Sequence, residues 1–401
     1  MRRGFLGRGL AGAIAVSLLV PASAAAITYA PVDQAGPPLS VPQDKLDASL
    51  ECSGNLAAGP APVLLVPGTG SNPHSNFSWN WEPALTNLGI SWCAVTLPGN
   101  ALEDIQVAGE YVVNGIRTMY QRAGRKISIV GHSQGGMIPR WPLRFWPDTR
   151  TMVDDQIGLA PSNHGTTGAE LLCAISCAAA DWQQSDRSEF IKALNSYQET
   201  FPGISYTEIY SHFDEIVTPN GDDTGSSSLH GGGGEITNVA IQDICPADPS
   251  EHLAIGTQDY VAYVLAVDAL EHPGPTDPAR AEASDSGICA PLALMPGINP
   301  VTYPADLTSA AADLAFNTAT APAVKSEPPL ACYVTVGCSA GPAAAAEPAA
   351  ATAPAGATAP ARAKSTPRKC KRKNRHRAVA SKRRCAKHRH KHSHRHKKKR
   401  H

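Results

Sequence analysis

Long apolar runs are almost absent from this 401-residue chain. After residue 26, no stretch approaches the roughly 18 consecutive apolar residues of a membrane-spanning helix. The spacing Cys-x-x-Cys is also absent, although the chain contains ten cysteines. That spacing is typical of structural zinc sites. Its absence favours disulfides, formed in an oxidising compartment, over a metal centre.

Acidic residues are missing from the C-terminal part of the chain. The formal net charge is zero, with 35 Lys and Arg and 35 Asp and Glu. Twenty of the basic residues lie from Arg362 onward and no acidic residue does, so the 15 basic and 35 acidic residues before it give a net charge of −20. The sequence therefore predicts an acidic body that carries a strongly basic tail.

The N-terminus has the pattern of a secretory signal. Three arginines precede the apolar run at residues 11–20, and small residues follow it up to Ala26. We therefore predict that residues 1–26 are a signal peptide and that the protein is secreted or associated with the cell envelope. The pair Arg2-Arg3 also fits a twin-arginine signal, so general secretory and twin-arginine export both remain open.

Composition divides the remainder of the chain into three parts. Residues 27–341 are long enough for one folded domain, which we expect to be a monomer. Residues 342–367 are rich in Pro and Ala and predict a linker.

The third part is a tail, residues 368–401, which is predicted to be disordered because it consists largely of Lys, Arg and His. We expect it to bind anionic cell-envelope polymers electrostatically, without specific nucleic-acid recognition. There are two alternatives. The tail could bind the acidic body, or its alternating histidines could bind a divalent metal.

The folded part alternates strands with helices. Such alternation predicts an α/β fold with a mostly parallel central sheet and helices on both faces. Strands are predicted at residues 63–66, 90–97, 127–130, 156–159, 206–210 and 235–244. Helices are predicted at residues 106–122, 188–195 and 258–270.

A candidate nucleophile follows the strand at residues 127–130. There the chain reads Gly131-His-Ser-Gln-Gly135, so a buried strand ends in a turn that is flanked by glycines. In α/β-hydrolases such a turn holds a serine at the end of the sheet, and we predict this role for Ser133. The alternative is a structural serine in a tight turn.

An acid and a histidine are needed to activate a serine, and in α/β-hydrolases they follow it in that order. Asp214 comes directly after the strand at residues 206–210, and His252 is predicted in a Pro-containing loop that follows the last predicted strand. We predict that these two residues complete a catalytic triad. Glu215 is the rival acid, and His164 and His230 are the rival bases.

Stabilisation of the negative oxygen in an ester reaction requires preorganised hydrogen-bond donors, which together form an oxyanion hole. The N–H of Gln134, the residue after the serine, is one predicted donor. The turn after the first strand, Pro67-Gly-Thr-Gly70, supplies the N–H and hydroxyl of Thr69 as the other.

These residues resemble the lipase B family of secreted α/β-hydrolases, found in Candida antarctica and in bacterial relatives. The resemblance covers residues 42–339. Its markers are Leu46-Asp-Ala-Ser-Leu-Glu-Cys52, Leu64-Leu-Val-Pro-Gly-Thr-Gly70, Gly135-Gly136, Trp182-Gln-Gln184 and Tyr210-Ser-His-Phe-Asp-Glu-Ile-Val217. It implies an α/β-hydrolase fold, the triad Ser133, Asp214 and His252, and an oxyanion hole at Thr69 and Gln134.

The resemblance also implies disulfides and marks departures from the family. The implied disulfide pairs are Cys52 with Cys93, Cys245 with Cys289, and Cys332 with Cys338. Cys173 and Cys177 have no family counterpart; we predict that they share one helix face and pair, with two buried thiols as the alternative. His132 replaces a tryptophan beside the nucleophile, and Ser162 replaces an aspartate in the pocket.

The sequence as a whole predicts a secreted carboxylic ester hydrolase, a triacylglycerol lipase or broad-specificity esterase acting on lipids or small esters. The reaction would pass through an acyl-enzyme on Ser133, without a metal or an organic cofactor. Two alternatives remain: an acyltransferase that uses the same intermediate, and a catalytically inert protein that binds the cell envelope.

Overall fold

A computed structural model describes residues 27–290 and 294–338 of the chain. Their centre is a seven-stranded sheet made of β1 (Leu50–Ser53), β2 (Val63–Val66), β3 (Trp92–Val95), β4 (Ile127–His132), β5 (Val153–Leu159), β7 (Ser205–Tyr210) and β8 (Glu235–Ala240). The strand order is β1-β3-β2-β4-β5-β7-β8, in which β1 is antiparallel to β3 and all other neighbours are parallel. A two-stranded sheet joins β6 (Cys177–Ala178) to β9 (Ala323–Val324).

Helices cover both faces of the large sheet. In chain order they are α1 (Gln43–Ala48), α2 (Pro73–Phe77), α3 (Trp81–Asn87), α4 (Ile105–Ala123), α5 (Gln134–Met137), α6 (Arg140–Phe145), α7 (Ala169–Leu172), α8 (Ala179–Gln183), α9 (Glu189–Leu194), α10 (Ile241–Ile244), α11 (His252–Thr257), α12 (Tyr260–Glu271), α13 (Pro278–Ser284) and α14 (Tyr303–Thr320). Short 3-10 helices lie at Pro98–Ala101, Pro147–Thr151 and Cys332–Val334. Within the described ranges, no helix has both the length and the apolar character that a membrane crossing requires.

The apolar run of β2 shows how the sheet is buried. Successive side chains of a strand point to opposite faces. Leu64 and Val66 accordingly belong to the core beneath α4, whereas Val63 and Leu65 belong to the core beneath α12. All four side chains are buried, as expected for a parallel strand with helices on both faces.

Most predicted elements are present, but some local predictions were wrong. The strand predicted at residues 235–244 ends at Ala240, and the chain continues as α10, with the Asp243 carboxylate accepting a hydrogen bond from the Ala240 N–H. His252, predicted in a loop, is the first residue of α11. In both places a short helix has no room for the apolar periodicity that reveals a helix in a sequence.

Disulfides join all eight cysteines in the described ranges. The pairs are Cys52–Cys93, Cys173–Cys177, Cys245–Cys289 and Cys332–Cys338. Cys173 and Cys177 do not share a helix face: α7 ends before the first, and the second begins β6. The predicted signal peptide, linker and tail, with Cys370 and Cys385, lie outside the described residues, and the predicted domain boundaries stay predictions.

Candidate active site

The turn between β4 and α5 carries Ser133 in a strained conformation, with φ 57° and ψ −124°. Two positions of this turn leave no space for a side chain and are occupied by glycines. A Cβ on Gly131 would collide with the main chain of Gly135, and one on Gly135 would collide with the carbonyl groups of Val66 and Pro67. The turn is thus packed against the end of β2, with the serine at the carboxyl end of β4.

Three predicted residues come together at this end of the sheet. The Oγ of Ser133 lies 3.0 Å from Nε2 of His252, and Nδ1 of the same ring lies 2.8 Å from Oδ2 of Asp214. Each residue is at most 7% exposed. An imidazole in this position can accept the serine proton while it donates a hydrogen bond to the carboxylate.

Main-chain hydrogen bonds orient the acid and the ring. The Oδ1 atom of Asp214 accepts hydrogen bonds from the N–H groups of Ile216 (2.9 Å) and Val217 (2.7 Å), which leaves Oδ2 for His252. The helix that begins at His252 is capped by Glu251, whose carboxylate accepts two N–H groups of the first turn. The imidazole is therefore supported from its own helix and from the loop after β7.

The rival acid and bases lie elsewhere. The carboxylate of Glu215 is 3.5 Å from the main-chain N of His252 rather than beside its ring. His164 contacts Glu199 through Nε2 at 2.8 Å, and the N–H of His230 donates to the other oxygen of that carboxylate at 2.6 Å. None of the three has a hydrogen bond to Ser133 in the described part of the chain.

The two predicted oxyanion donors flank the serine. Gly68 packs so closely that an added Cβ would lie 3.1 Å from the Cβ of Ser133, which brings Thr69 beside the nucleophile. Gln134 is the first residue of α5. Across the described residues, no main-chain acceptor is hydrogen-bonded to the N–H of Thr69 or of Gln134. Both N–H groups are thus available to a ligand oxygen.

An apolar cavity of about 470 Å³ leads to Ser133. Its outer wall includes α14, an element that the sequence reasoning missed. Apolar residues that line the cavity are Trp79, Ala169, Leu172, Ile216, Val217, Leu253, Leu307, Ala310, Ala311 and Leu314. Polar residues, among them Thr69, Ser133 and Gln184, also line it. A cavity with a mostly apolar lining and a few polar groups suits a ligand with an apolar chain and one polar reacting group.

His132 is a site residue whose role the sequence did not reveal. Its Nε2 lies 3.2 Å from the carbonyl oxygen of His252, and its Nδ1 lies 3.2 Å from the amide nitrogen of Asn76. Asn76 in turn accepts the N–H of Gly68 at 3.0 Å. Burial, with a smaller contribution from the nearby His252, lowers the pKa of His132 to about 3, so the ring is neutral and bridges the two sides of the site.

This low pKa predicts a pH-dependent loss of stability. In the unfolded chain the His132 ring binds a proton near pH 6.5, whereas in the folded protein it does so only near pH 3. Between these values the unfolded state binds more protons, so this residue lowers the free energy of unfolding by about 1.4 kcal/mol per pH unit below 6.5. His132→Gln removes this contribution.

Urea unfolding of both proteins at pH 7.5, 6.0 and 5.0 tests the prediction. At pH 7.5 the His132 ring is neutral in the folded and in the unfolded state. The difference in free energy of unfolding between wild type and variant at this pH therefore gives the effect of lost packing. The stability advantage of the wild type should shrink by about 2 kcal/mol at pH 5.0. If the free energies of unfolding of the two proteins changed in parallel with pH, folding would not lower the pKa of His132, and the prediction would be wrong.

Known proteins resemble this chain in sequence and in fold. A family model described as "Lipase (class 2)" matches residues 115–243. Lipase B of Pseudozyma (Candida) antarctica is 35% identical over 262 residues, which cover 64% of this chain and 75% of that protein. The crystal structure of Aspergillus fumigatus lipase B superposes with a TM-score of 0.67 at 29% identity, covering 75% of this chain and 74% of the other.

The length of these matches decides what they establish. The sequence match spans three quarters of the relative, and the structural match extends over the same share of this chain. The predicted family resemblance, the α/β-hydrolase fold and the serine ester hydrolase class are confirmed. The chain belongs to the lipase B family of α/β-hydrolases.

Proposed function

We propose that this protein hydrolyses carboxylic esters of lipids through a triad of Ser133, Asp214 and His252. The observation that carries the proposal is the position of the His252 ring, 3.0 Å from the serine oxygen and 2.8 Å from the carboxylate. A serine hydroxyl is a weak nucleophile by itself, and this contact gives it a base. An inert hydrolase body has no need of such an alignment.

The reaction follows from these contacts. His252 Nε2 takes the Ser133 proton while Oγ attacks the ester carbonyl carbon, and the carbonyl oxygen becomes negative. The N–H groups of Thr69 and Gln134, with the Thr69 hydroxyl, stabilise that oxygen. The protonated ring then gives its proton to the departing alcohol oxygen, which leaves an acyl-enzyme. Water, deprotonated by the same ring, then attacks the acyl carbon. The bond between that carbon and Oγ breaks, the carboxylic acid leaves, and the proton on the ring returns to Ser133.

The apolar walls of the cavity support an ester with an acyl chain as the substrate. Triacylglycerols and smaller esters both have this chemistry, and the cavity of about 470 Å³ accommodates one chain beside the serine. Transfer of the acyl group to an alcohol instead of water uses the same intermediate. A series of nitrophenyl esters of increasing chain length, assayed with and without an added alcohol, measures both preferences.

A serine-directed phosphonate tests the proposed function directly. The reagent should form one covalent adduct, on the peptide that contains Ser133, and hydrolysis of a nitrophenyl ester should fall in proportion to labelling. An adduct at another serine would contradict the assigned nucleophile. A protein that hydrolyses no ester and takes up no label would instead support the envelope-binding alternative.

We further propose that residues 1–26 direct export and that residues 368–401 retain the protein on anionic cell-envelope polymers. The disulfides of the described residues support an oxidising compartment. The excess of basic residues in the tail supports an anionic polymer as its partner. Deletion of residues 342–401 should leave ester hydrolysis unchanged and abolish salt-sensitive retention on cells. Retention that survives the deletion would contradict the role of the tail.

A further inference from the structure

The hydroxyl oxygen of Thr69 already accepts two hydrogen bonds. Gln184 donates through Nε2 at 2.8 Å, and Gln134 donates through its side-chain Nε2 at 3.3 Å. A hydroxyl has two acceptor positions and one proton to donate. With both acceptor positions occupied, the proton of Thr69 has to point elsewhere, and Thr69 lines the cavity beside Ser133.

Main-chain carbonyls decide which end of each amide faces Thr69. Gln184 Nε2 also donates to the carbonyl oxygen of Ala180 at 3.3 Å, and Gln134 Nε2 donates to that of Ala101 at 3.1 Å. A carbonyl oxygen only accepts, so the nitrogen of each amide must be on this side. Both side chains therefore present donors to the threonine oxygen.

Ser162 completes the chain of hydrogen bonds. It follows β5, is fully buried, and donates through Oγ to Oε1 of Gln184 at 2.9 Å. The donors therefore run in one direction, from Ser162 to Gln184 to Thr69 and into the cavity. Hydrogen bonds aligned in this way polarise one another, which strengthens the last donor.

We propose that Ser162 and Gln184 are positioning residues that direct the Thr69 hydroxyl proton toward the negative oxygen of the transition state. The proposal rests on the proposed function, since it assumes ester hydrolysis at Ser133. The group at position 162 must therefore be a hydrogen-bond donor, which a serine hydroxyl is and which the aspartate of the family is only while it is protonated. An ionised carboxylate there only accepts hydrogen bonds, so it would attract Nε2 of Gln184 away from its 3.3 Å hydrogen bond to the Ala180 carbonyl oxygen. The Gln184 amide would then turn, and its Oε1 would face Thr69 and accept the hydroxyl proton.

Ser162→Asp tests the direction of the chain. When the introduced carboxyl group is protonated, it donates to Gln184 Oε1 as serine does; when it is ionised, it reverses the amide. The ratio of the variant kcat to the wild-type kcat should therefore fall as pH rises from 5 to 9, by roughly 100-fold, the effect of losing one oxyanion donor. KM should change little, because the donor acts on the transition state. A ratio that stays constant with pH would overturn the proposal.

Two further variants separate this role from a structural one. Ser162→Thr keeps the hydroxyl and should retain a kcat close to that of the wild type with no added pH dependence. Thr69→Val removes the last donor, so adding Ser162→Asp to it should cause no further loss at pH 9. Thermal melting of each variant reports on folding. Additive losses would show that the two positions act independently.

Measurements on the wild type distinguish a failure of the positioning role from a failure of the proposed function. If phosphonate labels Ser133 and esters are hydrolysed, but the Ser162→Asp ratio does not depend on pH, only the positioning role fails. If the wild type is neither labelled nor active, the proposed function fails, and the positioning role fails with it.

Discussion

Replacing Ser133 with alanine is expected to lower kcat by about a million-fold, as loss of a serine nucleophile does in comparable enzymes. The variant retains the cavity and the oxyanion donors but has no oxygen from which an acyl-enzyme can form. KM and the melting temperature should stay close to the wild-type values, because the side chain is small and alanine fits in the same turn. Nitrophenyl ester hydrolysis and phosphonate labelling measure the loss.

A second serine in the same region is the matched control. Ser128 lies near the start of β4 and donates its Oγ to Asp155 at 2.8 Å, away from the cavity residues. Ser128→Ala should keep both labelling and kcat. His252→Ala should by itself lose about as much activity as Ser133→Ala, and the double variant should lose no more, because the two groups act as a unit. A Ser133→Ala protein with substantial residual kcat would contradict the assigned nucleophile.

Asp214→Asn is expected to lower kcat by about ten-thousand-fold. The amide can still accept the N–H groups of Ile216 and Val217 through Oδ1, so the loop after β7 should remain in place. Its NH₂ group would, however, face Nδ1 of His252 and favour the tautomer with the proton on Nε2. That ring can no longer accept the proton of Ser133, and kcat falls while substrate binding is preserved.

The neighbouring carboxylate provides the comparison. Glu215→Gln changes a side chain that lies 3.5 Å from the main-chain N of His252 and has no hydrogen bond to its ring. It should lower kcat only slightly. Steady-state kinetics and melting temperatures of both variants, measured in parallel, distinguish the two acids. A larger loss for Glu215→Gln than for Asp214→Asn would show that the acid is Glu215.

The sequence predicted most of the central sheet because its strands are buried on both faces. Val63–Val66 and residues 127–130 appear as uninterrupted apolar or small residues, and a helix of nineteen residues, α4, shows clear periodicity. The order of parallel strands then brings their carboxyl ends to one edge. This is why residues far apart in the chain could be proposed as one site before their distances were known.

Other features depend on contacts that no local pattern records. The helix α14 contains no fully buried residue, so its sequence has no core-facing stripe, yet it forms a wall of the cavity. The low pKa of His132 comes from burial, which the sequence around it does not reveal. Cys173 and Cys177 have the spacing of a helix face, but the helix ends before them.

The proposed catalytic groups are contributed after β4, β7 and β8, and Ser133 and His252 are separated by 119 positions along the chain. Because their contact depends on the assembled sheet rather than on one local segment, a partly folded intermediate has the nucleophile without its base. Ester turnover would consequently be a late event during refolding, appearing only once β8 has docked. Regain of turnover after dilution from denaturant would thus time the assembly of β4, β7 and β8 into one sheet, in contrast to circular dichroism, which records helix formation.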